Sequence, residues 1–213
     1  MNISSQIRPI NFGNVDLTYD MEKYITLKYN EDHRTYHGVD HINQMMDLNI
    51  LDNDDHKISL MILFHDIVYD PSSTENEYWS AMVARQYMAD RGYTSSYVDF
   101  IVKGIMATKN HWESRSINDP VIDRFLDYDL WDFGTPYYEV FEYNTNNLCD
   151  EYAMSKSENL VKVADWDAYC KEFDEGRKKW LMNVSKYEKH FSVYTERNDN
   201  ANRNIARALT EFE

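Results

Sequence analysis

The stretch Ser59-Leu60-Met61-Ile62-Leu63-Phe64-His65-Asp66-Ile67-Val68-Tyr69-Asp70-Pro71 constrains this chain more than any other. Its apolar residues run on without the alternation of a half-buried strand, so the segment from about residue 58 to 67 reads as a helix. A helix with no polar face has to be enclosed by other elements on every side. Its C-terminal end then carries His65 and Asp66 into the interior. A buried carboxylate is costly unless it is paired or ligates a metal. The imidazole beside it supplies a second ligand type at the same point. Taken alone, a His-Asp dipeptide reads as a core histidine bonded to its neighbour, and the rest of the chain decides between the two.

The remaining sequence is helical in period. Only four prolines and six glycines interrupt it, and no run alternates as strands do. Residues 17–29 read as a first helix, with Leu17, Met21, Tyr24, Ile25 and Lys28 along one side. A helix over about 36–48 stacks His37, His41, Met45 and Leu48 on one face. Histidines four apart on a helix can share a metal, act as ligand and supporter, or pack as a pair. After the turn Asp70-Pro71-Ser72-Ser73, a long helix runs to about Asp90 with Trp79, Met82, Val83 and Tyr87 inward. Thr74 and Glu77 have the spacing of a capping box at its start. The next helix, about 94–108, carries the stripe Val98, Ile101, Val102, Ile105, Met106 and delivers Lys109 and His111. Asp119-Pro120 is an N-cap followed by proline at the first helical position, and the short helix after it ends at Asp129. Thr135-Pro136 repeats that device before a helix through Val140 and Phe141. Residues 165–184 read as a helix whose Arg177-Lys178-Lys179 run is a solvated face. Residues 201–212 close the chain, with Ile205 and Leu209 inward.

These elements describe an all-α bundle, and the length fits one domain over 1–213 with 1–16 as a lead-in. The net charge of -15 and pI near 4.8 repel a phosphate backbone at long range, which argues against a partner of long nucleic acid. A small phosphorylated molecule would need local help from a metal or a few placed cations. No segment approaches the roughly 18 apolar residues of a membrane span, and residues 1–9 lack a signal-peptide core. Cys149 and Cys170 form no CxxC pair and suggest no disulfide framework. A reducing, cytoplasmic setting is the expectation.

The order His37, then His65-Asp66, then Asp129 resembles the His-Asp (HD) superfamily of metal-dependent phosphohydrolases. The likeness extends to Arg34-x-Tyr36-His37-x-x-x-His41-Ile42, Phe64-His65-Asp66-x-Val68-Tyr69-Asp70-Pro71 and Asn76-Glu77-x-x-Ser80-Ala81. Phe125-Leu126-Asp127-x-Asp129-Leu130, Glu151-Tyr152 and Gly176-Arg177 also fit, so the resemblance covers roughly residues 17–212. One departure stands out: the arginine often found shortly before the Glu-Tyr pair is absent from Leu148-Cys149-Asp150-Glu151-Tyr152. If that arginine holds substrate in the family, this chain prefers a different one.

The resemblance implies an HD-type helical domain with a central metal site. It makes His37, His65, Asp66 and Asp129 ligands of one divalent ion. Mixed nitrogen and oxygen donors suit Mn, Fe, Co, Ni or Zn, with Mg also admissible, and do not choose among them. The bound ion would polarise a phosphoryl group and activate water. A second metal would need more histidines than His111 and His190 provide downstream, and His111 is the candidate there. Glu77 is a candidate general base, against its capping role, and His111 a candidate acid. Lys109 and Arg34 are candidate phosphate partners, Arg34 through its planar fork, against an ion pair with Glu31 and Asp32. Tyr36 lines the pocket, and His41 and Tyr69 support the ligands from behind. The expected activity is hydrolysis of a phosphate ester or anhydride in a small nucleotide. The alternatives are a protein that captures such a molecule without cleaving it, and a di-iron oxygenase.

Overall fold

The computed structural model describes residues 7–52, 54–111, 117–157, 165–184 and 195–211. His190, counted above among the histidines downstream, and Phe212, at the end of the expected last helix, lie outside them. The described residues form nine α-helices and no strand, so the all-α expectation holds. None of the helices is long and apolar enough to cross a membrane. Two compact units divide the chain that the sequence reads as one domain: Met1–Tyr69 with Glu75–Met106, and Asp70–Thr74 with Ala107–Glu213.

The first unit is built around α3 (His56–Phe64), in which every residue from Ile58 to Phe64 is buried. The Asp55 side chain caps its start by accepting from Lys57 N–H. Helices α1 (Tyr19–Tyr29), α2 (Val39–Asp52), α4 (Asn76–Asp90) and α5 (Ser95–Ala107) complete the unit. Helix α1 starts at Tyr19 and not at Leu17, because the Thr18 hydroxyl caps it by accepting from Met21 N–H. The inward face of α1 is Ile25 and Tyr29, while Tyr24 stays exposed. The lead-in is pinned down: Ile10 and Val15 are buried, and Asn11 N–H donates to Asn43 Oδ1 at 2.8 Å. At Gly104 of α5 an added Cβ would strike the Met61 thioether, so α5 and α3 approach at a residue without a side chain.

Two boundaries differ from expectation with consequences for the site. Helix α2 begins at Val39, not near Tyr36, so His37 lies in the preceding turn and does not share a helix face with His41. Gly38 makes that turn: a Cβ there would sit 2.8 Å from the Arg34 carbonyl oxygen and 3.3 Å from that of Tyr29. Helix α4 is capped at Glu75 with no side-chain hydrogen bond, so the Thr74–Glu77 capping box does not form. Its buried face is Asn76, Ser80, Ala81, Ala84 and Met88; Trp79, expected inward, is 55% exposed. Small residues win that face because Ser80 has backbone to serve, as described below.

The second unit holds a 3₁₀ turn (Thr108–Asn110) and helices α6 (Pro120–Asp129), α7 (Tyr138–Met154), α8 (Trp166–Val184) and α9 (Thr195–Glu211). Asp119 caps α6 by accepting from Val121 and Ile122 N–H, as its Asp-Pro signal indicates. The cap expected at Thr135 moves to Tyr137, with α7 starting at Tyr138. Leu130, Phe133, Tyr138, Phe141, Leu181, Ala201, Ile205 and Ala208 form an apolar cluster. Helix α9 fastens the link between α6 and α7 with polar side chains. Asn204 Nδ2 donates to the carbonyls of Phe133 and Thr135, and Asn200 Nδ2 to that of Gly134. Arg177 stacks over the Trp180 and Phe133 rings, so one member of the expected solvated run is a packing residue. Cys149 of α7 and Cys170 of α8 are joined by a disulfide, against the expectation of none.

Candidate metal centre

The chain turns sharply after α3, and almost every backbone group of that turn has a partner. His65 N–H donates to Met61 O at 2.9 Å, and Ile67 N–H to Phe64 O. The Tyr29 hydroxyl donates to Leu63 O at 3.2 Å. Ser80 Oγ accepts from Val68 N–H and donates to Val68 O. Arg34 closes the set from the other side. Its Nη1 donates to Asp66 O at 2.5 Å and to His37 O at 3.3 Å, its Nη2 to Ile67 O, and its Nε to Glu31. The guanidinium lies between the Tyr29 and Tyr69 rings, 5.2 and 5.4 Å from their centroids.

Held this way, His65 and Asp66 face each other. His65 Nδ1 is 2.9 Å from Ile62 O, and only a protonated nitrogen can meet a carbonyl there. The neutral ring therefore keeps its lone pair on Nε2, which stands 3.0 Å from Asp66 Oδ2. Two lone-pair donors at that distance repel unless a proton or a metal cation stands between or beside them. His41 approaches from the first turn of α2, its ring 5.6 Å from that of His65. His41, His65 and Asp66 each offer a ligand atom within 4.8 Å of the others, and all three are buried. Among the described residues this is the group that could hold a metal ion. Its donor set fits one: two imidazoles and one carboxylate suit a divalent transition ion and leave positions for other ligands. The Nδ1–H bond to a carbonyl is the usual orienting contact of a ligating histidine.

The expected site residues divide accordingly. His41, expected as a supporter, is a member of the group. His37 is not; its ring lies 6.0 Å from that of His41 and 4.4 Å from that of Tyr69. Tyr36 stands 4.8 Å from His37 and 4.9 Å from His41, ring to ring. Tyr69 backs His37 and Arg34. Arg34, expected as a phosphate partner, is instead an internal clamp with a fully buried side chain, which is its ion-pair alternative. Glu77 is half-buried in the first turn of α4. Asp129 and His111 belong to the second unit, where they pair with each other, His111 Nε2 to Asp129 Oδ2 at 2.7 Å. Lys109 Nζ donates to Thr74 O at 2.6 Å.

Histidine spacing left His41 open between ligand and supporter, and the family resemblance alone made it a supporter; the start of α2 at Val39 is what the sequence does not announce, apart from Gly38. The glycine is the available signal, since it weakens a helix interior and favours close approach. No family model, no curated protein and no solved structure matches the chain.

Proposed function

We propose that this chain is a metal-dependent phosphohydrolase of the HD type, acting on a small phosphorylated molecule, with nucleotides as the class to test first. The observation that carries the reading is the buried convergence of His41, His65 and Asp66 on a turn whose backbone is fastened by Arg34, Tyr29 and Ser80. When bound, a divalent ion supplies positive charge for phosphate oxygens and lowers the pKa of a coordinated water. The protein's own part is geometric. The Ile62 carbonyl fixes which His65 nitrogen faces inward, and Arg34 holds the carbonyls of Asp66 and Ile67 so that the Asp66 carboxylate keeps its place. Such preorganisation is what a charge-stabilising site needs. Glu77 is the proposed acceptor for the proton of the attacking water.

The test is hydrolysis of a panel of nucleotides and simple phosphate esters with added Mn, Co, Ni or Mg. The wild-type protein is expected to turn over at least one substrate, Asp66→Ala to lose at least about a hundredfold in rate, and Glu77→Gln to lose a similar factor. Glu77→Gln is expected to keep its metal. Equal turnover by wild type and Asp66→Ala, or none with any metal, contradicts the reading.

A further inference from the structure

We propose that Cys149 and Cys170 form a thiol–disulfide exchange site that governs how tightly one end of the α7–α8 pair is held. Their Cα atoms are 5.7 Å apart across 21 residues of sequence, within the span that a disulfide bridges. Cys149 lies in the last turns of α7, and Cys170 in the first turns of α8. The apolar cluster of this unit draws on the opposite ends of these helices: Tyr138 and Phe141 start α7, and Leu181 is near the end of α8. Neither cysteine belongs to that cluster, so opening the bond leaves it in place.

The described side-chain contacts beside the bond include an aromatic pair and an ion pair. The Tyr152 and Phe173 rings are 5.8 Å apart. Lys156 Nζ is 3.7 Å from Glu172 and lies over the Tyr152 ring, and an exposed ion pair of this kind contributes little. A groove lined by Tyr152, Glu172, Phe173, Gly176, Arg177 and Trp180 opens here. Tyr152 of α7 lines one side of it, and the other five residues belong to α8.

Access is uneven: Cys149 is 7% exposed, while Cys170 is partly exposed. A thiolate of a small or protein dithiol attacks Cys170 Sγ. The S–S bond breaks, and Cys149 leaves as a thiolate that takes a proton. The second thiol of the reductant then attacks its own sulfur in the mixed disulfide and releases Cys170. The protein gains two electrons and two protons, and the dithiol is oxidised to a cyclic disulfide.

The experiment uses the full chain in native buffer, with and without dithiothreitol, read by thiol alkylation and by hydrogen exchange with mass spectrometry. Air-oxidised protein is expected to show no alkylated cysteine, and the native reduced protein two. On reduction, exchange is expected to rise about tenfold or more in 146–157 and 166–176, and to stay unchanged in 201–208. The variant Cys149→Ser/Cys170→Ser is expected to copy the reduced pattern and ignore the dithiol. If it does not fold, the wild-type comparison decides alone. Free thiols before reduction, a bond that opens only in denaturant, or unchanged exchange after reduction each overturn the proposal.

Discussion

The guanidinium of Arg34 is fully enclosed, yet its charge is answered by Glu31 and three backbone carbonyls. Glu31 carries the pH dependence of this arrangement. Burial alone would raise its carboxyl, but the Lys28 hydrogen bond and the nearby Arg34 charge outweigh burial and hold it below its ordinary value of 4.5. The folded state therefore binds this proton less tightly than the unfolded chain. The resulting stability is fully present above 4.5 and is lost as pH falls through the lower folded value. In urea titrations, wild type should exceed Glu31→Gln by about 1 kcal/mol at neutral pH, a figure kept small by partial exposure. That margin should stay constant down to about pH 5 and shrink below it. A margin that is flat or grows toward acid would contradict the assignment. The sequence left Arg34 open between phosphate and Glu31, because only the fold shows that its other donors are taken by the turn it closes.

At the scale of elements, the apolar run 58–64 told its own story: a helix with no polar residue but Ser59 has to be central, and α3 is. Asp119-Pro120 was equally legible, because its cap is local. Where a boundary depends on a tertiary approach, the sequence is silent. Helix α2 starts late because the Gly38 backbone lies against two carbonyls, and that shift leaves His37 in the turn before the helix that carries His41. Gly38→Ala should place its Cβ against the Arg34 carbonyl and cost about 1–3 kcal/mol. That is read as a fall in Tm of several degrees for a chain of this size. A variant as stable as wild type would show that the turn has room. The inward face of α4 is hidden from the sequence for a similar reason. Hydrophobicity favours Trp79, but the backbone of Val68 needs the Ser80 hydroxyl, and the flanking alanines follow it inward. In α9 the buried Asn200 and Asn204 look like a solvated face in sequence, since nothing local reveals the loop carbonyls they satisfy.

For the molecule as a whole, helical periodicity and the scarcity of breakers were enough to specify an all-α chain. They were not enough to show its division into two compact units, which depends on contacts far apart in sequence. The pairing of His111 with Asp129 and of Cys149 with Cys170 is of the same kind. Of the proposed metal core, His65 and Asp66 were legible because a carboxylate in so apolar a segment demands a reason, whereas histidine spacing alone left His41 open between ligand and supporter, and only the fold brings it within reach of the other two. The account rests most heavily on this triad, and metal content tests it directly. Wild type, His41→Ala and His37→Ala, each checked for helicity by circular dichroism, should be dialysed against a divalent ion and analysed for bound metal per chain. The account predicts that wild type and His37→Ala retain one tightly held ion that a chelator removes, and that His41→Ala loses it. Metal retained by His41→Ala, or wild-type protein that holds none, would contradict it.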